Sequence, residues 1–355
     1  MDFCYRFPAV KGLQAGKEYY IAMIPLRLLS KIFGNDDEYI PPEYRAQRRL
    51  NTTRIPVIKD YILDNRDSYV FSALAAAIDG EYNFAPSMAS ADLGILEVSM
   101  DARFMIVDGQ HRKASIIEAI TEDETLNTET ISVVFYEDKG LQHGQQMFTD
   151  LNKHAVKTSN SIAELYDSRD ALAVVTRRVI SEIEFFDQYT DKEKDILGKF
   201  SSNFFTLNTF YKANKKILKR AECNDSAEAF LKQYWSAVVK HILPWNELTN
   251  KELSKVDLRE KYIITQAIII QALGVLGNHF LINDAKELEK SITGLEKVDW
   301  LRSAECWKGR VIRSNGKIIN SNDAARLACN VLKETLGIPL DSEDLVYEEK
   351  FTKGK

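Results

Sequence analysis

Up to about residue 155, apolar positions fall in short alternating or continuous runs; beyond it they recur at helical spacing. Tyr19 to Ile24 reads as a strand stopped by Pro25, followed by a short amphipathic run from Leu26 to Phe33. Ile55 to Leu63 predicts a helix with Thr53 as its cap and Pro56 in its first turn. Tyr69 to Ile78 predicts a strand closed by Asp79-Gly80, and residues 81–92, with Pro86, Ser87 and Ser90, read as a loop. Leu93 to Met100 and Arg103 to Val107 are β-rich runs separated only by Asp101-Ala102, the pattern of a hairpin. A turn at Asp108-Gly109 then leads into a helical pattern at 113–120, a strand at Ile131 to Tyr136 and a helix at Leu141 to Leu151. Interspersed strands and helices make residues 1–155 an α+β (mixed α/β) domain.

The remainder, 156–355, reads as a mainly helical domain. Ser161-Ile-Ala-Glu164 has the spacing of a capping box and opens a long helix to about Phe186. Further helices are expected at Asn203 to Ala221, Ala227 to Leu243, Arg259 to Leu281 and Asn322 to Leu336, the last stopped by Gly337 and Pro339. The exception is 307–319, a basic hairpin turning at Asn315-Gly316. Tyr262 to Asn283 carries no charged side chain, but Thr265, Gln266, Gln271, Asn278 and His279 mark a buried helix rather than a membrane span. The tail from Glu348 is expected to fray.

Composition sharpens the choice of partner. The formal charge is −5 and the pI near 5.7, so nucleic acid would have to be met through local basic patches. Arg45, Arg48, Arg49, Arg54 and Lys59 fall in an acid-free stretch, as do Lys199, Lys212, Lys215, Lys216, Lys219 and Arg220 among five aromatics. Both runs also fit a solvated helix face with the rings in the core. The hairpin adds Lys308, Arg310, Arg313 and Lys317, as a groove-reading ribbon or a protected sheet edge. Cys4, Cys223, Cys306 and Cys329 form no paired motif, and the first residues lack a signal-peptide pattern, so a reducing cytoplasm is the expected setting.

Standard phosphate-loop, dinucleotide, zinc-protease and serine-hydrolase signatures are absent. The densest polar cluster is Asp108-Gly-Gln-His-Arg112, where a strand hands over to a helix. One reading is a polar turn in which Arg112 pairs with Asp108. The other presents Gln110, His111 and Arg112 to a phosphate at the helix start. An enzymatic version makes His111 the acid or base, Asp108 its orienter or a metal ligand, and Arg112 the stabiliser of charge on phosphorus. It would bring in a nucleotide with a divalent metal; otherwise no cofactor is expected. His143 and His154 could approach His111 only if their segment folds back, and the spacing fits no metal template.

Val107-Asp-Gly-Gln-His-Arg112, with Phe148-Thr-Asp-Leu-Asn152 downstream, resembles the paired signatures of the DGQHR-domain family. Phe7-Pro-Ala-Val-Lys-Gly12 and Gln47 to Arg54 are similar to its DndB branch, and the likeness extends over most of the chain. The resemblance implies a ParB/sulfiredoxin-like N-terminal domain followed by an all-helical C-terminal one. It also implies a cytoplasmic DNA-binding repressor of a bacterial DNA phosphorothioation system, acting on the promoter of the modification genes. By analogy with that superfamily, Gly109, Gln110, His111 and Arg112 would face phosphate with Asn152 beside them. Arg45, Arg48, Arg49, Arg54 and the lysines at 212, 215, 216 and 219 would supply DNA contacts. Beyond DNA, a nucleotide and a second copy of the chain are expected partners, and a membrane is not.

Overall fold

A computed structural model describes residues 3–34, 50–137, 140–153, 158–283 and 288–353, the backbone alone at 141, 142, 152 and 153. The chain divides into two compact units, Met1–Val156 and Lys157–Lys355.

Among the described residues the first unit is built on seven strands, β1 (Cys4–Gln14), β2 (Lys17–Pro25), β3 (Leu74–Asp79), β4 (Tyr82–Ser87), β5 (Ser90–Ser99), β6 (Arg103–Asp108) and β7 (Thr130–Glu137). They form one mixed sheet in the order β4-β5-β1-β2-β7-β3-β6, antiparallel except where β3 meets β7. Alternation sets the faces: in β2, Tyr20, Ala22 and Ile24 are buried while Ile21 and Met23 point out. The sheet curls, because Tyr5 on β1 and Phe104 on the β6 edge bring their rings to 6.2 Å. It is accompanied by helices α1 (Leu29–Ile32), α2 (Ile55–Asp64), α3 (Gln110–Glu122) and α4 (Leu141–Lys153). α2 packs on α3, and Met147 and Phe148 of α4 rest on Ala75, Ala77 and Val107 on a separate face of the sheet.

Three local expectations are corrected. β5 and β6 are not a hairpin: β5 pairs with β1 over seven residues and with β4, while β6 pairs with β3. The 81–92 stretch is instead β4 and its turn into β5, and Gly94 permits this close pairing. A Cβ there would lie 2.2 Å from the Ala85 carbonyl oxygen. Asn51, not Thr53, caps the turn ahead of α2, accepting from the Thr53 N–H at 3.1 Å.

The second unit is helical: α5 (Asn160–Tyr166), α6 (Ala171–Glu182), α7 (Glu184–Tyr189), α8 (Leu207–Leu218), α9 (Asp225–His241), α10 (Leu243–Thr249), α11 (Lys255–Lys261), α12 (Ala267–Asn283), α13 (Leu288–Ile292), α14 (Asn322–Thr335) and α15 (Ser342–Lys353). Two-residue strands β8 (Thr190–Asp191) and β9 (Phe205–Thr206) pair in parallel. Apolar α12 sits against α8 and α14 in the core, and no helix among the described residues is long and apolar enough to cross a membrane.

The helix expected from Ser161 to Phe186 is broken into three: Asp167 and Asp170 cap fresh backbone N–H groups between α5 and α6, Asp170 taking those of Leu172 and Ala173, and the backbone turns extended at Ile183 between α6 and α7. Ser159 is the cap of α5; Ser161 is buried and donates to the Lys194 carbonyl. The Arg259 to Leu281 helix is likewise two, α11 and α12, with Ile263 N–H bonded to the Trp300 carbonyl between them. Within 307–319 a short antiparallel hairpin turns at Asn315-Gly316, the Arg313 N–H donating to the Lys317 carbonyl at 2.9 Å and the Ile319 N–H to the Val311 carbonyl at 2.8 Å; its base is packed down, with Trp307 and Val311 buried and Arg310 paired to Glu348. Nor does the tail fray at Glu348: α15 continues to Lys353, anchored by that pair and by a buried Lys333–Asp344 ion pair.

Candidate functional site

The turn at 108–112 forms because β6 ends where Gly109 can take a left-handed backbone, φ 99°. Any other residue would be strained there, and its Cβ would lie 2.4 Å from Leu74 Cδ2 and 3.2 Å from Arg112 Nη2. Gly109 is also the N-cap of α3, which has no side-chain cap and no acid in its first turn. The first N–H groups of a helix lack intrahelical acceptors and carry the positive end of its dipole. Gln110, His111 and Arg112 therefore open a 13-residue helix at an end suited to an anion.

Of the two readings of Arg112, the geometry shows the bracing one. Nη1 donates to the Ser72 carbonyl at 2.6 Å, the Ser72 hydroxyl at 2.5 Å and the Ala73 carbonyl at 2.8 Å. Nη2 donates to Asp108 Oδ2 at 2.6 Å. The guanidinium thus ties the turn to the segment entering β3. His111 makes a different link: its Nε2 accepts from the Asn51 N–H at 2.9 Å, which places the proton of the neutral ring on Nδ1. Lys113 reaches the Gly34 carbonyl at 3.2 Å and Ser115 the Ile55 carbonyl at 3.1 Å. The first turns of α3 therefore gather three chain segments distant in sequence.

Arg54 benefits from this. It is exposed in the short turn at 52–54, between the Asn51 N–H held by His111 and the Ile55 carbonyl held by Ser115, so its backbone runs alongside the first turns of α3. Arg45, Arg48, Arg49 and His154 lie outside the described residues. Lys59 pairs with Glu122 on α3. Phe148, from the downstream motif, packs beside Val107 under the turn, and Asp150 accepts from Gln146 at 2.7 Å. Asn152 falls on α4, where only its backbone is described.

Of the groups in the enzymatic arrangement, Asp108 is bonded to Arg112, and His111 Nε2 accepts from a backbone N–H. His143 Nε2 lies 3.4 Å from Lys17 Nζ, and among the described residues no three His, Cys, Asp or Glu side chains converge as metal ligands.

In the second unit, α8 is cleanly two-faced. Phe210, Ala213, Asn214, Ile217 and Leu218 are buried, while Lys212, Lys215 and Lys219 are exposed. Lys216 is half-buried and donates to Asn322 Oδ1 at 2.8 Å; burial, with help from Arg326, lowers its pKa. The aromatics Phe204, Phe205 and Phe210 are core residues, and Tyr211 is committed to Asp170, so base stacking from that run is left to the exposed Phe200. No side-chain pattern signals the carbonyls of Ser72 and Ala73 or the Asn51 N–H, since these contacts are made by main-chain atoms.

A family model of DNA-sulfur modification-associated proteins, DndB, matches residues 7–339. The chain belongs to the DndB family. That match runs through both units, so the turn at 108–112 and the lysine face of α8 both lie within the DndB region. No curated protein and no solved structure gives a significant match.

Proposed function

We propose that this DndB-family protein is a DNA-binding repressor of a bacterial phosphorothioate modification system, holding a backbone phosphate at the N-terminus of α3. The family's link to DNA sulfur modification supplies the setting. The observation that carries the reading is the acid-free, side-chain-uncapped helix start at Gly109 with exposed Arg54 delivered beside it by the Asn51–His111 bond. Backbone N–H groups of the first turn, with Gln110 and His111, are the donors; Arg112 shapes the turn instead of meeting the ligand. The exposed lysines of α8 add a separate, sequence-independent attraction. The same donors would accept a nucleotide phosphate.

The test is a salt titration of affinity for a DNA duplex. Removing one phosphate-binding cation lowers the slope of log K against log salt by about 0.9. Arg54→Gln is expected to lower the slope by about that amount, and an unchanged slope and affinity would remove Arg54 from the interface.

A further inference from the structure

Apart from the turn at 108–112, the second unit holds a cleft of about 340 Å³ lined by Phe204, Thr206, Thr209, Thr265, Gln266 and Ala267. Its floor is the start of the 17-residue helix α12. Among the described residues nothing accepts from the N–H groups of Ala267 and Ile268, while that of Gln266 is used by the Ile263 carbonyl. Beside them Thr265 is more than nine-tenths buried, and its hydroxyl has no partner among the described residues. A buried hydroxyl without a partner costs free energy unless something else satisfies it. Here it borders the positive end of a long apolar helix.

The opposite wall is cationic and rigid. Arg259 donates to the carbonyls of Gly198, Lys199, Ser201 and Asn203, and its guanidinium lies 5.5 Å from the centroid of the Phe204 ring. With both terminal nitrogens donating to carbonyls, it shapes the loop and contributes charge. Lys199 is exposed on that loop. Among the described residues one acid lines the cleft, Asp195. It is already bonded to the N–H groups of Asn160 and Ser161, which hold its carboxyl below the usual carboxylate range despite partial burial.

We propose that this cleft is a phosphate-binding site. The α12 N–H groups and the Thr265 hydroxyl donate to the anion, Arg259 and Lys199 supply charge, and the exposed Ile196 on the cleft wall offers an apolar surface to whatever the phosphate carries. Its volume lies at the lower end of the small-molecule range, so a nucleoside monophosphate fits the class and a triphosphate with metal does not. The proposal is independent of the DNA reading and uses a different unit.

The experiment is thermal shift with calorimetric titration of the full chain against inorganic phosphate, deoxyadenosine 5′-monophosphate and unphosphorylated deoxyadenosine. Saturable stabilisation by either phosphate-bearing probe is expected, and none by deoxyadenosine. The two phosphate arms tell a bare anion from a phosphorylated ligand, and binding in either upholds the site when Thr265→Val weakens it. Thr265→Val removes an unpartnered hydroxyl, so the variant should fold at least as well as the parent and bind at least about tenfold more weakly. Lys199→Gln, on an exposed side chain, is expected to weaken binding in the same direction without changing stability. Failure of both phosphate probes to bind, or undiminished binding by Thr265→Val, would overturn the assignment. Gln110→Glu, on the first unit, tests the DNA reading, and the binding lost in Thr265→Val should persist in it.

Discussion

Arg112→Lys separates a brace from a ligand contact. The guanidinium spreads four hydrogen bonds over Ser72, Ala73 and Asp108, and its side chain is 18% exposed. An ammonium keeps the charge next to Asp108 but cannot span both the carboxylate and the 72–73 backbone. The three bonds from Nη1 to Ser72 and Ala73 then disappear; that nitrogen carries two hydrogens, so they amount to about two full bonds. Hydrogen bonds involving a charged group contribute about 1.5 to 3 kcal/mol each, and the partial exposure of the side chain calls for a discount toward about 1. The expected destabilisation is about 2 kcal/mol, or roughly 4 to 8 °C in the melting of a unit this size. Thermal or urea unfolding measures it, with a DNA salt titration on the same samples. Because Arg112 does not meet the phosphate in this account, the salt slope should match the parent's. A slope reduced by about 0.9 with undiminished stability would show that Arg112 is a phosphate contact and refute the reasoning.

Gly109→Ala should destabilise the first unit by about 2 to 4 kcal/mol, from left-handed strain plus the Leu74 overlap, read by urea unfolding; a change under about 0.5 would mean the turn tolerates a Cβ. Lys333→Met leaves the fully buried Asp344 with only the more distant Arg326, 3.6 Å away, as counter-charge and should cost about 3 kcal/mol, whereas Lys333→Met with Asp344→Leu should recover most of it; denaturant midpoints compare the two. Burial raises the Glu164 carboxyl to about 7, the bond from Asn208 opposing it. A carboxyl whose folded value lies above its unfolded value favours folding fully below pH 4.5 and loses that contribution as pH rises toward 7. Glu164→Gln should therefore gain about 1 to 2 kcal/mol over the parent at about pH 8, after discounting for half exposure, and nothing at about pH 4; equal curves would contradict this.

The strand-to-helix junction at Asp108 was legible because a hydrophobic run, a turn dipeptide and helical spacing follow one another locally. The same holds for β2, β7 and α14. What escaped was set by distant partners. Asp101-Ala102 looked like a hairpin turn, but β5 finds a longer ladder on β1, and β6 goes to β3. The run from Ser161 to Phe186 keeps its helical apolar spacing through Asp167 and Asp170, whose caps mark the first break, and through Ile183, where an extended backbone makes the second. The role of Arg112 was open in sequence between Asp108 and a ligand. The deciding acceptors are carbonyls of Ser72 and Ala73, which no side-chain pattern encodes. The Asn51–His111 bond spans 60 positions and is equally invisible, yet it brings Arg54 to the site.

Gln110→Glu tests the central claim most directly, by measuring DNA affinity and unfolding free energy side by side. A carboxylate in the first turn of α3 suits the helix dipole, so stability should stay level or rise by about 0.3 to 1 kcal/mol. The same charge occupies the place of the phosphate, and affinity for the duplex should fall by about tenfold or more. Undiminished DNA affinity in a stably folded Gln110→Glu protein would contradict phosphate binding at the start of α3.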